Sequence, residues 1–114
     1  MPFRSESTLQ SWLEEFERLG YGFAGETRVI QQDGADGANT GLISVELPLA
    51  ATIATIQPES RDSARWVITM ERLESSVTLD APALITLASE LTVVSTLCAF
   101  LQAKSLAHRQ IDAA

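Results

Sequence analysis

The segment from Asp80 to Lys104 constrains the fold more than any other part of the chain. Leu84, Leu87, Leu91, Val94, Cys98 and Leu101 recur every three or four residues, which places them along one side of an α-helix. Val93, Leu97 and Phe100 form a second, shorter apolar stripe roughly a third of a turn away at about 3.6 residues per turn. One stripe is enough to cover a small sheet. A second implies another occupant: the N-terminal helix, another copy of the chain, or a foreign partner. Glu90, Val93, Leu97 and Phe100 are therefore the expected partner or dimer interface.

The helix has clear end signals. Asp80 suits an N-cap, and Pro82 falls in the first turn, where a missing N–H costs nothing. Lys104, His108 and Arg109 suit the negative pole of the helix dipole. Glu90 is a charge within a strongly apolar helix. As a functional residue it is presented in a groove or meets a partner's arginine. As a structural one, the favoured reading, it sits at the rim of the apolar surface or forms an internal pair with a residue such as Arg72. The apolar run from Leu84 to Ala103 is about long enough to span a bilayer. Glu90, Gln102 and repeated Thr and Ser interrupt it, and no basic cluster flanks it, so a helix packed in protein is expected instead.

At the other end, Ser7 and Gln10 have capping-box spacing, and Leu9, Trp12, Leu13, Phe16 and Leu19 follow with helical periodicity until Gly20. Between the helices the period changes to two. Strands are expected at Thr27–Gln31, Leu42–Leu47, Thr52–Gln57 and Arg65–Leu73, with a very short fifth at Val77–Leu79. The links between them are short and turn-rich, which favours antiparallel hairpins over parallel crossovers. The expected fold is α+β, in the order α-β-β-β-β-α: a twisted antiparallel sheet with the N- and C-terminal helices packed on one face. A chain of 114 residues makes one such domain, residues 1–114, with frayed ends at about 1–6 and 109–114.

Charge and side-chain chemistry narrow the function. Fifteen acidic against eight basic residues give a formal net charge of −7, which disfavours nucleic acid and anionic lipid as partners. Cys98 is the only cysteine, and the N-terminus lacks a signal-peptide pattern, so a cytoplasmic setting is expected. Asp33, Asp36 and Asn39 lack the alternating ligands and closing glutamate of a calcium loop, so they read as a hairpin tip and no metal is expected. Cys98 is ten residues from His108, about 15 Å along a helix, too far to form a thiol–base pair. With no nucleophile elbow, Walker loop or dinucleotide-binding glycines, no enzymatic activity and no cofactor are expected.

The opening helix, Leu9-x-x-Trp12-Leu13-x-x-Phe16-x-x-Leu19-Gly20, is followed by β-hairpins and a closing helix in a small acidic chain. This pattern resembles the small type III secretion chaperones. The resemblance implies a dimer that holds a partner's extended segment along apolar surface. The leading expectation is a non-enzymatic protein-binding or assembly module, chaperone-like and homodimeric through the C-terminal helix. The alternative is a small-molecule-binding domain with an apolar pocket between sheet and helices, lined by Phe23, Trp66 and Met70.

Overall fold

A computed structural model describes residues 6–23, 25–30, 41–59, 64–71 and 76–113, with backbone alone over 108–113. Helix α1, Glu6–Arg18, buries Leu9, Leu13 and Phe16, the apolar positions of its 3.6-residue pattern. Gly20, at φ +102°, supplies the left-handed residue that ends it. Among the described residues the helix begins before the expected cap. Helix α1 already includes Ser7, and Gln10 Nε2 donates to Glu14 Oε1 at 3.5 Å.

The sheet is an antiparallel meander in the order β1-β2-β3-β4, formed by Thr27–Ile30, Leu42–Leu47, Thr52–Pro58 and Trp66–Met70. Pro48 cannot extend a ladder, so β2 ends there in a single 3-10 turn, Pro48–Ala50, and Ala51 re-enters the sheet at φ 51°. Period-two alternation sorts the two faces. Ile43, Ile56 and Ile68 share one register row, and Val45, Ala54 and Met70 another, on the face that meets the helices. Ser44, Thr55 and Thr69 form a polar row on the other face. Residues Val77–Leu79 form no strand; they lead irregularly into the second helix.

Helix α2, Ala81–Ala113, is capped at Asp80, whose Oδ1 accepts from the Ala83 N–H at 3.0 Å. Its 33 residues span roughly 50 Å at about 1.5 Å each, matching the 51 Å long axis of the molecule. The core lies between the sheet and the two helices, where Phe16, Ile43, Val45, Leu47, Ile56 and Leu97 are fully enclosed. Burying each such side chain contributes about 1.5–3 kcal/mol. The architecture is thus α+β, a four-stranded antiparallel sheet with a helix from each end of the chain.

Candidate functional site: the two faces of the C-terminal helix

The C-terminal half of α2 is tied down by specific contacts. The Trp66 indole Nε1 donates to the Ser105 hydroxyl at 2.8 Å, and the Trp66 backbone N–H donates to Gln102 Oε1 at 3.2 Å. Lys104 pairs with Glu15 of α1, and its ammonium lies 5.6 Å from the centroid of the Phe100 ring. Phe100 in turn packs on Phe16, with ring centroids 5.4 Å apart. These contacts fix which side of α2 faces inward.

That side differs from the sequence expectation. The buried line runs Glu90, Val94, Leu97, Leu101 and Ser105, rotated roughly 50° about the helix from the leucine stripe toward the second one, at about 100° per residue. Leu97 is fully buried in the chain's own core, and Val93 and Phe100 pack partly buried against it. The residues expected to meet a partner are therefore largely occupied by α1 and the sheet. Conversely, Leu84 of the presumed core stripe is 57 % exposed and Leu91 37 %. The physical reason is width. The core presses on α2 from both the sheet and α1, so the buried arc takes the inner half of each stripe and leaves the outer edge of the leucine stripe in solvent.

Glu90 lies on the buried line at 8 % exposure, and both of its carboxylate oxygens are enclosed without a hydrogen-bond partner. Arg72, its candidate partner from the sequence, lies outside the described residues, as do Asp33, Asp36 and Asn39. The proposed pocket residues do not converge. Trp66 is buried, Phe23 is partly buried against the core, and Met70, 46 % exposed, lies at the far end of β4 from Trp66. A depression of about 240 Å³ lies between β4 and α2, lined by Ala64, Arg65, Gln102 and Leu106, with none of those three in its wall. It is smaller than the roughly 300–1,000 Å³ usual for a ligand pocket. Burial raises the Cys98 thiol above its ordinary value, the opposite of what a nucleophile needs. Among the described residues no three His, Cys, Asp or Glu side chains gather to hold a metal.

What the sequence reading missed is the outer face of α2. From Ala81 to Ala103 the only charged residue is Glu90, and it points inward. Ile85 is 68 % exposed and Leu106 47 %, and between them Ala88, Thr92, Ser95, Ala99 and Ala103 are all exposed. Thr92 and Thr96 turn their hydroxyls back onto the carbonyls of Ala88 and Thr92, at 3.0 and 2.8 Å, so they satisfy those hydroxyls within the helix. Residues Ala81–Ala107 are long and apolar enough to cross a membrane, yet only 22 % of their most apolar stretch is enclosed by the rest of the chain. The signal was in the sequence: a charge-free arc on a chain with net charge −7. No family model, curated protein or solved structure matches the chain.

Proposed function

We propose that this protein is a non-enzymatic protein-binding and assembly module, chaperone-like in organisation, whose working surface is the outer face of α2. The observation that carries this reading is the combination of length, apolarity and exposure on that face. Leu84, Ile85, Leu91 and Leu106 present large side chains to water along a helix with no outward charge before Lys104. Contiguous apolar surface of this kind marks an interaction site. A protein surface suits it better than a bilayer. The inner line of α2, from Glu90 to Ser105, is buried against the chain's own sheet and α1. Inserting the helix would draw the outer face of that sheet, with Arg28, Ser44 and Glu46, toward hydrocarbon.

The test compares the wild-type chain with a Leu84→Glu/Ile85→Glu double variant, both checked as folded by circular dichroism. Both positions are exposed, so the variant keeps its core. The wild type is expected to sediment as an assembly, either of itself or with one identified protein at fixed stoichiometry, and the variant to lose that state. A wild type that stays at 12.4 kDa and binds no protein saturably overturns the reading.

A further inference from the structure

Resting on the assembly reading above, we infer that the occupant of the outer face is a second copy of this chain, packed through an antiparallel α2–α2 contact whose two-fold axis passes between Ser95 and Thr96. The first argument is charge. A foreign partner selected by a net charge of −7 would be basic and would be met by carboxylates, yet the outer face between Ala81 and Ala103 carries none. In a two-fold contact residue i of one copy meets residue j of the other and j meets i, and two chains that each carry a net charge of −7 repel one another least where the facing surfaces carry no charge. The face of a strongly acidic chain that approaches its own copy at the least electrostatic cost is one without charge, and the outer face of α2 between Ala81 and Ala103 is such a face.

The second argument is shape. About the Ser95–Thr96 midpoint, antiparallel pairing sets Ile85 opposite Leu106, Ala88 opposite Ala103, and Thr92 opposite Ala99. Small residues meet small residues through the middle, where two helices can approach to the lower end of the usual 8–10 Å. Large side chains close both ends, and at each end an Ile from one copy faces a Leu from the other. The Thr92 and Thr96 hydroxyls are already bonded within the helix, which lowers the cost of desolvating them, and the Ser95 hydroxyl is the polar group left to meet its copy at the axis. The resulting strip, from Ile85 to Leu106, is about 32 Å long and about 10 Å wide. It falls below the roughly 1,200 Å² of a standard interface, so the dimer is concentration-dependent.

Cysteine cross-linking tests both the occupant and the register. In a Cys98→Ser background, Ala88→Cys and Ala103→Cys chains carrying different tags are mixed and oxidised. The antiparallel contact brings position 88 of one copy against 103 of the other, within the roughly 4–7 Å Cα separation a disulfide requires. Like positions stay about 22 Å apart along the axis. The expected result is the mixed 88–103 disulfide with no 88–88 or 103–103 product, together with a monomer–dimer equilibrium whose dissociation constant rises at least tenfold in Ala99→Leu. Cross-linking of like positions would overturn the antiparallel register and leave the assembly reading standing. A monomer at every concentration that instead forms a stoichiometric complex with an identified protein, lost in Leu84→Glu/Ile85→Glu, would overturn self-association alone. A monomer that co-floats with phosphatidylcholine vesicles would overturn both.

Discussion

Replacing Glu90 with leucine should stabilise this protein, although most substitutions at buried positions do the reverse. Glu90 is 8 % exposed, and neither carboxylate oxygen has a hydrogen-bond partner. Enclosing an unpaired polar group costs about 1–3 kcal/mol, and more when the group is charged. Leucine removes that cost and adds apolar contact beside Leu87, Val94 and Leu97 on the same side of α2, worth about 1.5–3 kcal/mol for a fully buried side chain. The shapes differ, because leucine branches where glutamate does not, so some repacking strain offsets the gain. The net expectation is an increase of about 2–4 kcal/mol.

The assay is urea denaturation followed by circular dichroism, at a fixed low protein concentration so that self-association adds nothing to the apparent stability. With a urea slope of about 1–3 kcal/mol per molar, the midpoint should rise by about 1–2 M at unchanged slope. Glu90→Gln should gain less, because it removes the charge but leaves an amide without partners. A Glu90→Leu midpoint equal to or below wild type would refute the reasoning. It would mean that the carboxylate is satisfied in solution by a group reaching it from elsewhere.

Four further outcomes follow from the same contacts. Ser105→Ala should cost about 1–3 kcal/mol and shift the tryptophan emission, because it orphans the buried Trp66 indole N–H that donates to Ser105 at 2.8 Å. Gly25→Ala should lower the thermal midpoint markedly, since a Cβ there would come within 2.2 Å of the Glu46 carbonyl oxygen, a backbone atom held in β2. Leu97→Ala should cost about 2–5 kcal/mol in denaturation, whereas Leu84→Ala, at a 57 % exposed position, should leave monomer stability nearly unchanged. Cys98 should react with a disulfide reagent more slowly than a free cysteine near pH 8, because burial raises its pKa and lowers its thiolate fraction, and its rate should climb only at higher pH.

The elements with a single buried side were legible from the sequence. Leu9, Leu13 and Phe16 face the core as their spacing requires, and Ile43, Val45 and Leu47 alternate inward as read. The Asp80 cap and the Gly20 stop depend on local backbone chemistry, which sequence carries directly. The phase of α2 was not legible. Both stripes are apolar, and periodicity alone ranks neither; the choice is made by Trp66, which hydrogen-bonds Gln102 and Ser105 from another strand, and by Glu15, which holds Lys104 from α1. Those partners lie 36 to 89 residues away along the chain, beyond any window in which a pattern is read. The same long-range choice dispersed the expected pocket, because α2 is pinned at the Trp66 end of β4 while Met70 lies at the other.

Once that phase is set, the rest of α2 follows from what its outer arc lacks. A helix that needed only to cover its sheet would be expected to turn charged residues to water, as α1 does with Glu14 and Glu17. Helix α2 turns alanine, serine and threonine outward through its middle and leucine and isoleucine near its ends. Solubility does not call for this, since the chain's other surfaces already carry its acidic charge. Stability of the lone chain does not call for it either, because exposed apolar side chains contribute nothing until something covers them. A face that serves neither end in the monomer is the one the proposed contact uses, since a second surface of the same uncharged kind would cover it and another copy of α2 carries one.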